Sequence, residues 1–291
     1  MRFALTCTDR YLGVFQTLVQ AGWQPVRLFT TPVDHRIHEN KAVLAYAAEL
    51  GIPVHFSRLG ESDLAALAAD GVSTLVVASY NWKIPDWRPH LRYALNFHPS
   101  PLPIGRGPYP LVNALLEGLS TWGVTCHQLT DALDAGPVLA QERFPLAMDE
   151  SHDSLDLKVQ LAAKRLAARV ASELPALWAG AKPQVAAEGC YWRHWNEADR
   201  TLDFSQALAA VQQRLRAFGR IECIAVVNDV RIFVRRAVGW SERHTHRPGA
   251  VVHVDGDTLV VAVPDGLLAI LEWNLLDPAA HTGTSTGNIR R

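Results

Sequence analysis

The 291-residue chain sets 28 lysines and arginines against 29 acidic residues, a formal net charge of −1, so no global field favours nucleic acid or an acidic membrane. Hydrophobic residues make up 48% and charged residues 20%, which excludes a disordered chain and leaves one large or two ordinary domains with real cores. Cys7, Cys126, Cys190 and Cys223 lie far apart with no C-x-x-C pair, against a zinc knuckle or a disulfide scaffold. The first apolar run reaches Asp9-Arg10 too soon for a signal peptide, and none approaches membrane-spanning length. The expectation is a soluble cytoplasmic protein.

Residues 2–7 read as a buried strand. Thr8 or Asp9 caps the helix that follows, with Leu12, Phe15, Leu18 and Val19 on one face and Gly22 at its end. The turn between them has no glycine, so the dinucleotide fingerprint is absent. Then come a strand (25–30), a polar loop (31–40), a helix (41–50), a strand (52–56), a helix (62–69) and an apolar strand (74–78). Strands alternating with short helices imply βαβ units and a Rossmann-like α/β fold with a largely parallel sheet. A strand at 93–97 feeds a proline- and glycine-rich loop, and a helix at 111–116 leaves it. Strands at 123–129 and 138–146 follow, then an amphipathic helix at 154–178, capped by Ser151 or Asp153 and stopped by Gly180 and Pro183.

Residues 182–199, polar and aromatic, read as a packed linker. Beyond it a helix carries Leu208, Val211, Leu215 and Phe218. Short strands are expected at 222–227, 230–237, 250–254, 259–263 and 267–272, with hairpin turns at Asp255-Gly256 and Asp265-Gly266. So many short strands suggest a small β-barrel-like, OB-like domain. The expected division is 1–181, a linker at 182–199, and 200–291.

Chemistry gathers at two loops. The first runs Asn96-Phe97-His98-Pro99-Ser100-Pro101-Leu102-Pro103-Ile104-Gly105-Arg106-Gly107. Asn96 and His98 are two apart and share a face of an extended chain; one offers an amide donor, the other an imidazole. The second, Leu129-Thr130-Asp131-Ala132-Leu133-Asp134-Ala135-Gly136-Pro137, brings a carboxylate to a turn. Asn, His and Asp converging on a cleft suit a reaction through a tetrahedral oxyanion. Ser100, Arg106 and Gly107 shape the loop on the substrate side, with Arg106 a cation for an anionic part of a ligand. Read singly, Asn96 and Asp134 are loop and turn residues before they are catalytic ones, and His98 and His127 equally structural histidines.

The ordered pattern Asn-x-His-x-Ser-x-Leu-Pro-x-x-Arg-Gly-x-x-Pro, Gly123-Val124-Thr125-x-His127 and Leu-Asp-x-Gly resembles the folate-dependent formyltransferases, tRNA- and sugar-nucleotide-modifying members included. The resemblance implies an α/β domain followed by a small β domain, 10-formyltetrahydrofolate as co-substrate and no metal. It also implies Asn96, His98 and Asp134 as catalytic residues. The donor pocket it implies is lined by Val77, Ser79, Tyr80, Trp82 and Ile84 on one side and by Asp131, Leu133 and Gly136 on the other. Tyr80 and Trp82 read equally as packing residues.

For the acceptor, the resemblance implies a longer basic loop after the second strand in a tRNA-modifying member, whereas here the 31–40 loop is short with only Arg36 basic; residues 200–291 hold 11 arginines and no lysine against 9 acids, a net of +2. This favours a small-molecule amine over methionyl-tRNA. A catalytically silent folate-sensing module and a hydrolase of the formyl donor are further alternatives. Asp34-His35-x-x-His38-Glu39 reads as a solvated loop rather than a metal site, and His244-x-His246 as an exposed hairpin loop. A homodimer stays open, since apolar residues of the second domain serve an interface as readily as a core.

Overall fold

Near-continuous apolar runs make the central strands, because helices cover both faces of a mostly parallel sheet and no alternation is required. A computed structural model describes residues 1–32 and 39–276. Its contacts group the chain into two units, one of 1–110, 121–145 and 156–193, the other of 111–120, 146–155 and the residues from 194 on.

In the first unit, β1 (Arg2–Cys7) and β4 (Thr74–Ala78) lie buried side by side in a seven-stranded sheet. The others are β2 (Gln24–Phe29), β3 (Val54–His55), β5 (Tyr93–His98), β6 (Thr121–Gln128) and β7 (Val138–Pro145), in the order β3-β2-β1-β4-β5-β6-β7. Pairing is parallel from β3 to β5 and antiparallel from β5 to β7. The expected α/β sheet is present.

Alternating residues of β1 pack on opposite sides. Ala4 joins a core with Phe29, Leu75, Val77 and Ala94 beneath Leu64 and Leu67 of α3 (Glu61–Ala69). Phe3 meets Phe15 of α1 (Leu12–Gln20) edge-on, with centroids 6.1 Å apart, and Phe15 meets Tyr46 of α2 (Lys41–Glu49) at 5.0 Å. On that side too, Trp23 donates to Ala171 O of α5 (His152–Ala179). Helix α4 (Pro110–Leu116) follows the first candidate loop.

Two local expectations change. Neither Thr8 nor Asp9 caps its own helix: Asp9 opens a 3₁₀ turn, and its carboxylate accepts from the Ala42 and Val43 amides of α2 instead. The orphan N–H groups of a helix start take whichever acceptor the fold brings near. The 52–56 strand shrinks to the two residues of β3, an edge strand paired only with β2. The Asp34, His35 and His38 cluster and Arg36 lie outside the described residues.

In the second unit, the short α6 (Glu197–Arg200) and α7 (Leu208–Phe218) precede an antiparallel sheet. Strands β8 (Cys223–Val227), β9 (Val230–Ser241), β10 (Val251–Asp255), β11 (Thr258–Val263) and β12 (Gly266–Asn274) pair in the order β10-β11-β12-β9-β8. Asn228 and Asp229, both at positive φ, make the β8–β9 turn, the combination a two-residue hairpin needs. Gly266 is already paired to Val263, so the last turn is Pro264-Asp265. His244 is not a free loop histidine: its Nε2 lies 2.8 Å from Val263 O and 3.0 Å from Gly266 O.

Candidate active site

Register decides which side chains meet. Thr6, Val77, Asn96 and His127 are aligned across β1, β4, β5 and β6, and aligned neighbours project from the same face of a sheet. Asn96 Nδ2 accordingly stands 3.1 Å from His127 Nε2. His127 Nδ1 lies 2.8 Å from Gln128 O and must donate there, so Nε2 accepts from Asn96. Burial, and then the neighbouring His98, pushes the His127 imidazole down to about 4; near neutral pH it is uncharged and its acceptor lone pair is available.

His98, two residues past Asn96, is buried. Its Nε2 donates to Gly105 O at 2.8 Å, and its Nδ1 faces Asp134 Oδ1 at 3.4 Å. The other carboxylate oxygen, Oδ2, accepts from the Gly107 amide at 2.9 Å. Gly107 is therefore more than a loop-shaping residue. At φ +98 a Cβ there would lie 2.2 Å from Trp192 O, so only glycine fits. The structure thus brings Asn96, His98 and Asp134 together and adds His127, which spacing along the sequence left undecided.

Ser79 (φ +73), Tyr109 (φ +55) and Asp134 (φ +54) are non-glycine residues in the left-handed region. Each lies on one of the three loops around the Asn96–His98 strand end. Such backbone persists where surrounding contacts over-determine it, and it clusters at functional sites.

The other expected residues separate. Ser100 is fully buried, with its amide on His98 O and its carbonyl accepting from Thr125 Oγ1. Val77 belongs to the apolar core, with Tyr80, Ile84 and Leu129 packed against it. The Tyr80 hydroxyl accepts from the Leu59 amide, and its ring meets Trp82 edge-on at 5.2 Å. Leu133 is 54% exposed at its loop tip. Arg88, four residues past Ile84, holds Asp131 with bonds of 3.1 and 3.3 Å. Gly136 is buried, and a Cβ there would strike Gln128 O at 1.8 Å. Among the described residues no three His, Cys, Asp or Glu side chains gather as metal ligands.

Residues 182–193, expected as part of a packed linker, lie across both loops as a strap; which loops they hold was not legible from composition. The Lys182 amide donates to Val138 O, and the Arg106 amide to Cys190 O. The Trp192 amide donates to Arg106 O, and its ring stacks on Trp122 at 5.7 Å. Arg106 Nε donates to Gln184 Oε1 at 3.0 Å, and Gln184 Nε2 donates to Asp134 O and Gly136 O at 2.8 Å each. The one outward sign was the aromatic run Cys190-Tyr191-Trp192-Arg193-His194-Trp195 in a stretch otherwise polar.

With this geometry in hand, similarity to known proteins can be placed on it. Residues 57–171 match the model of the formyl transferases, and residues 195–289 that of the formyl transferase C-terminal domain. The chain is 30% identical to a methionyl-tRNA formyltransferase of Halorhodospira halophila, over 94% of this chain and 91% of that protein. With one from Idiomarina loihiensis it shares 28% identity over the same two fractions. Among solved structures, an N-formyltransferase from Helicobacter canadensis, in complex with folinic acid and dTDP-3-aminofucose, superposes with a TM-score of 0.67 at 13% identity. That match covers 94% of this chain and 99% of that one. HypX from Aquifex aeolicus with tetrahydrofolic acid gives a TM-score of 0.64 at 20% identity; this chain spans 44% of its length.

Proposed function

The chain belongs to the formyl transferase family, and we propose that it moves a formyl group from 10-formyltetrahydrofolate to the amine of a small acceptor, an amino-sugar nucleotide or another metabolite amine. The observation that carries the reaction is the convergence of Asn96, His98 and Asp134: Asn96 lies 3.1 Å from His127, His98 lies 3.4 Å from Asp134, and Asp134 accepts from the Gly107 amide at 2.9 Å.

The donor supplies an activated formyl carbon and a nitrogen leaving group. The residues around the site fit it: Trp82, Leu129 and Leu133 offer apolar surface beside loop backbone, as a flat hydrogen-bonding ring requires. Addition of the amine to the formyl carbon puts negative charge on the formyl oxygen. His127 takes one Asn96 N–H, which leaves the second to meet that oxyanion in a fixed direction. His98 has committed Nε2 to Gly105, so Nδ1 is the atom that holds a proton next to Asp134. A proton there gives an imidazolium compensated by the carboxylate, a charge favourable to the same oxyanion. The amine loses one proton and the departing nitrogen gains one; the His98–Asp134 pair is placed to carry it.

Charge supports a small acceptor. Three arginines of the second unit are occupied locally: Arg231 on Glu197, Arg236 on Glu272, and Arg220 on Asp153. The second reading, methionyl-tRNA, is favoured by the sequence relatives, which carry that name over nearly the whole chain.

The test follows tetrahydrofolate production from 10-formyltetrahydrofolate over methionyl-tRNA, dTDP-3-aminofucose and a panel of other amines. Turnover with a small amine, lowered about a hundredfold or more in Asn96→Ala, His98→Ala and Asp134→Ala, is expected. Turnover with methionyl-tRNA alone would replace the acceptor proposed. Folate binding without turnover for any acceptor would favour a sensing module.

A further inference from the structure

Asp134 works only if one carboxylate oxygen faces His98 and the other receives the Gly107 amide, yet it is held at φ +54 on a loop. A non-glycine residue stays there when its surroundings impose it. The Gly107 bond acts on the side chain. Something else must hold the backbone.

That contact comes from the strap. Gln184 Nε2 donates to Asp134 O and Gly136 O, two carbonyls of the same turn. Its Oε1 accepts from Arg106 Nε, on the residue next to Gly107. One planar amide uses both its N–H groups on the carboxylate loop and its carbonyl on the histidine loop. We infer that Gln184 is a positioning residue for formyl transfer, holding the two loops in the register that sets Asp134 against His98 and Gly107. This rests on the catalytic reading of Asp134 and His98. A strap that merely packs would need no side chain in this bridging geometry; Trp192 on Trp122 already supplies packing.

Two variants separate the bonds. Gln184→Met keeps length and loses all three. Gln184→Glu keeps an acceptor for Arg106 but has no N–H for the carbonyls. In the full chain, amide exchange at Gly107 reports Asp134 directly, because that N–H donates to its carboxylate. Roughly tenfold faster exchange at Gly107 is expected in both variants, with exchange in α5 unchanged. With 10-formyltetrahydrofolate and whichever of methionyl-tRNA and dTDP-3-aminofucose the wild-type chain formylates, kcat should fall about ten- to a hundredfold at near-constant KM. If it formylates neither, formate release from the donor is the readout. Unchanged exchange at Gly107 overturns the inference, whatever the rates do. Faster exchange with unchanged kcat also overturns it, and Asp134→Ala measured beside it tells the two failures apart. An inactive Asp134→Ala leaves the catalytic reading intact and removes Gln184 alone; an active one removes the catalytic reading itself.

Discussion

Buried beside His98, with its Nδ1 proton on Gln128, His127 stays neutral in the folded chain where an unfolded histidine would titrate. Its folded value lies near 4, below the ordinary 6.5, so between those pH values the unfolded chain binds a proton that the folded chain does not. Stability from this group is therefore complete above about pH 6.5 and is lost as pH falls toward 4, by at most about 3 kcal/mol. Urea unfolding across that range should show a steeper acid loss in the wild-type chain than in His127→Gln; parallel curves would show that His127 is not held neutral. The same residue shows where reading the sequence stops. Asn96 and His98 are legible because alternation along one strand puts both on one face. The partner that aims Asn96 lies 31 residues away on β6, and only strand register brings it there. Asp9 fails for a related reason: local spacing assigns it to its own helix, and a helix start 33 residues on takes its carboxylate.

At the scale of elements, strands buried on both faces are legible as runs, and β1 and β4 keep their expected bounds. Edges are less so. β3 loses residues, whereas β9 continues to Ser241 because β12 pairs with it that far. The strap at 182–193 is legible only as a packed linker, since its hydrogen bonds run to loops far earlier in the chain. One consequence concerns Cys190, whose Sγ accepts from the Gly105 amide at 3.2 Å. Burial pushes the Cys7 and Cys126 thiols up and that of Cys223 up to about 12, whereas Cys190 is partly exposed. Thiolate character and access govern alkylation. Iodoacetamide on the native protein should therefore modify Cys190 first, read by mass spectrometry, and activity should fall in step as the added group displaces the Gly105 end of the histidine loop. Modification of Cys190 with activity intact would show that the strap's sulfur contact is dispensable.

For the whole molecule, the α/β sheet and the β domain follow from periodicity, but the acceptor does not, because recognition depends on how charge is spread over a folded surface. A net charge of −1 and a C-terminal stretch of only +2 are visible in the sequence; that Arg231, Arg236 and Arg220 each meet a carboxylate is not. Pairing of this kind adds little stability, yet it reduces the cationic surface open to phosphates. Salt dependence turns the difference into a measurement. An enzyme gripping tRNA through about six phosphates would lose roughly a thousandfold in affinity between 50 and 200 mM salt, through counterion release. A small amine acceptor, carrying at most a diphosphate, has no condensed counterion atmosphere to release, and screening should change kcat/KM by only about threefold over the same range. Steady-state rates with the accepted substrate at several KCl concentrations distinguish the two. A shallow slope is expected; a steep one would mean that the chain assembles a phosphate-binding surface from arginines with no carboxylate partner, and would move the acceptor to tRNA.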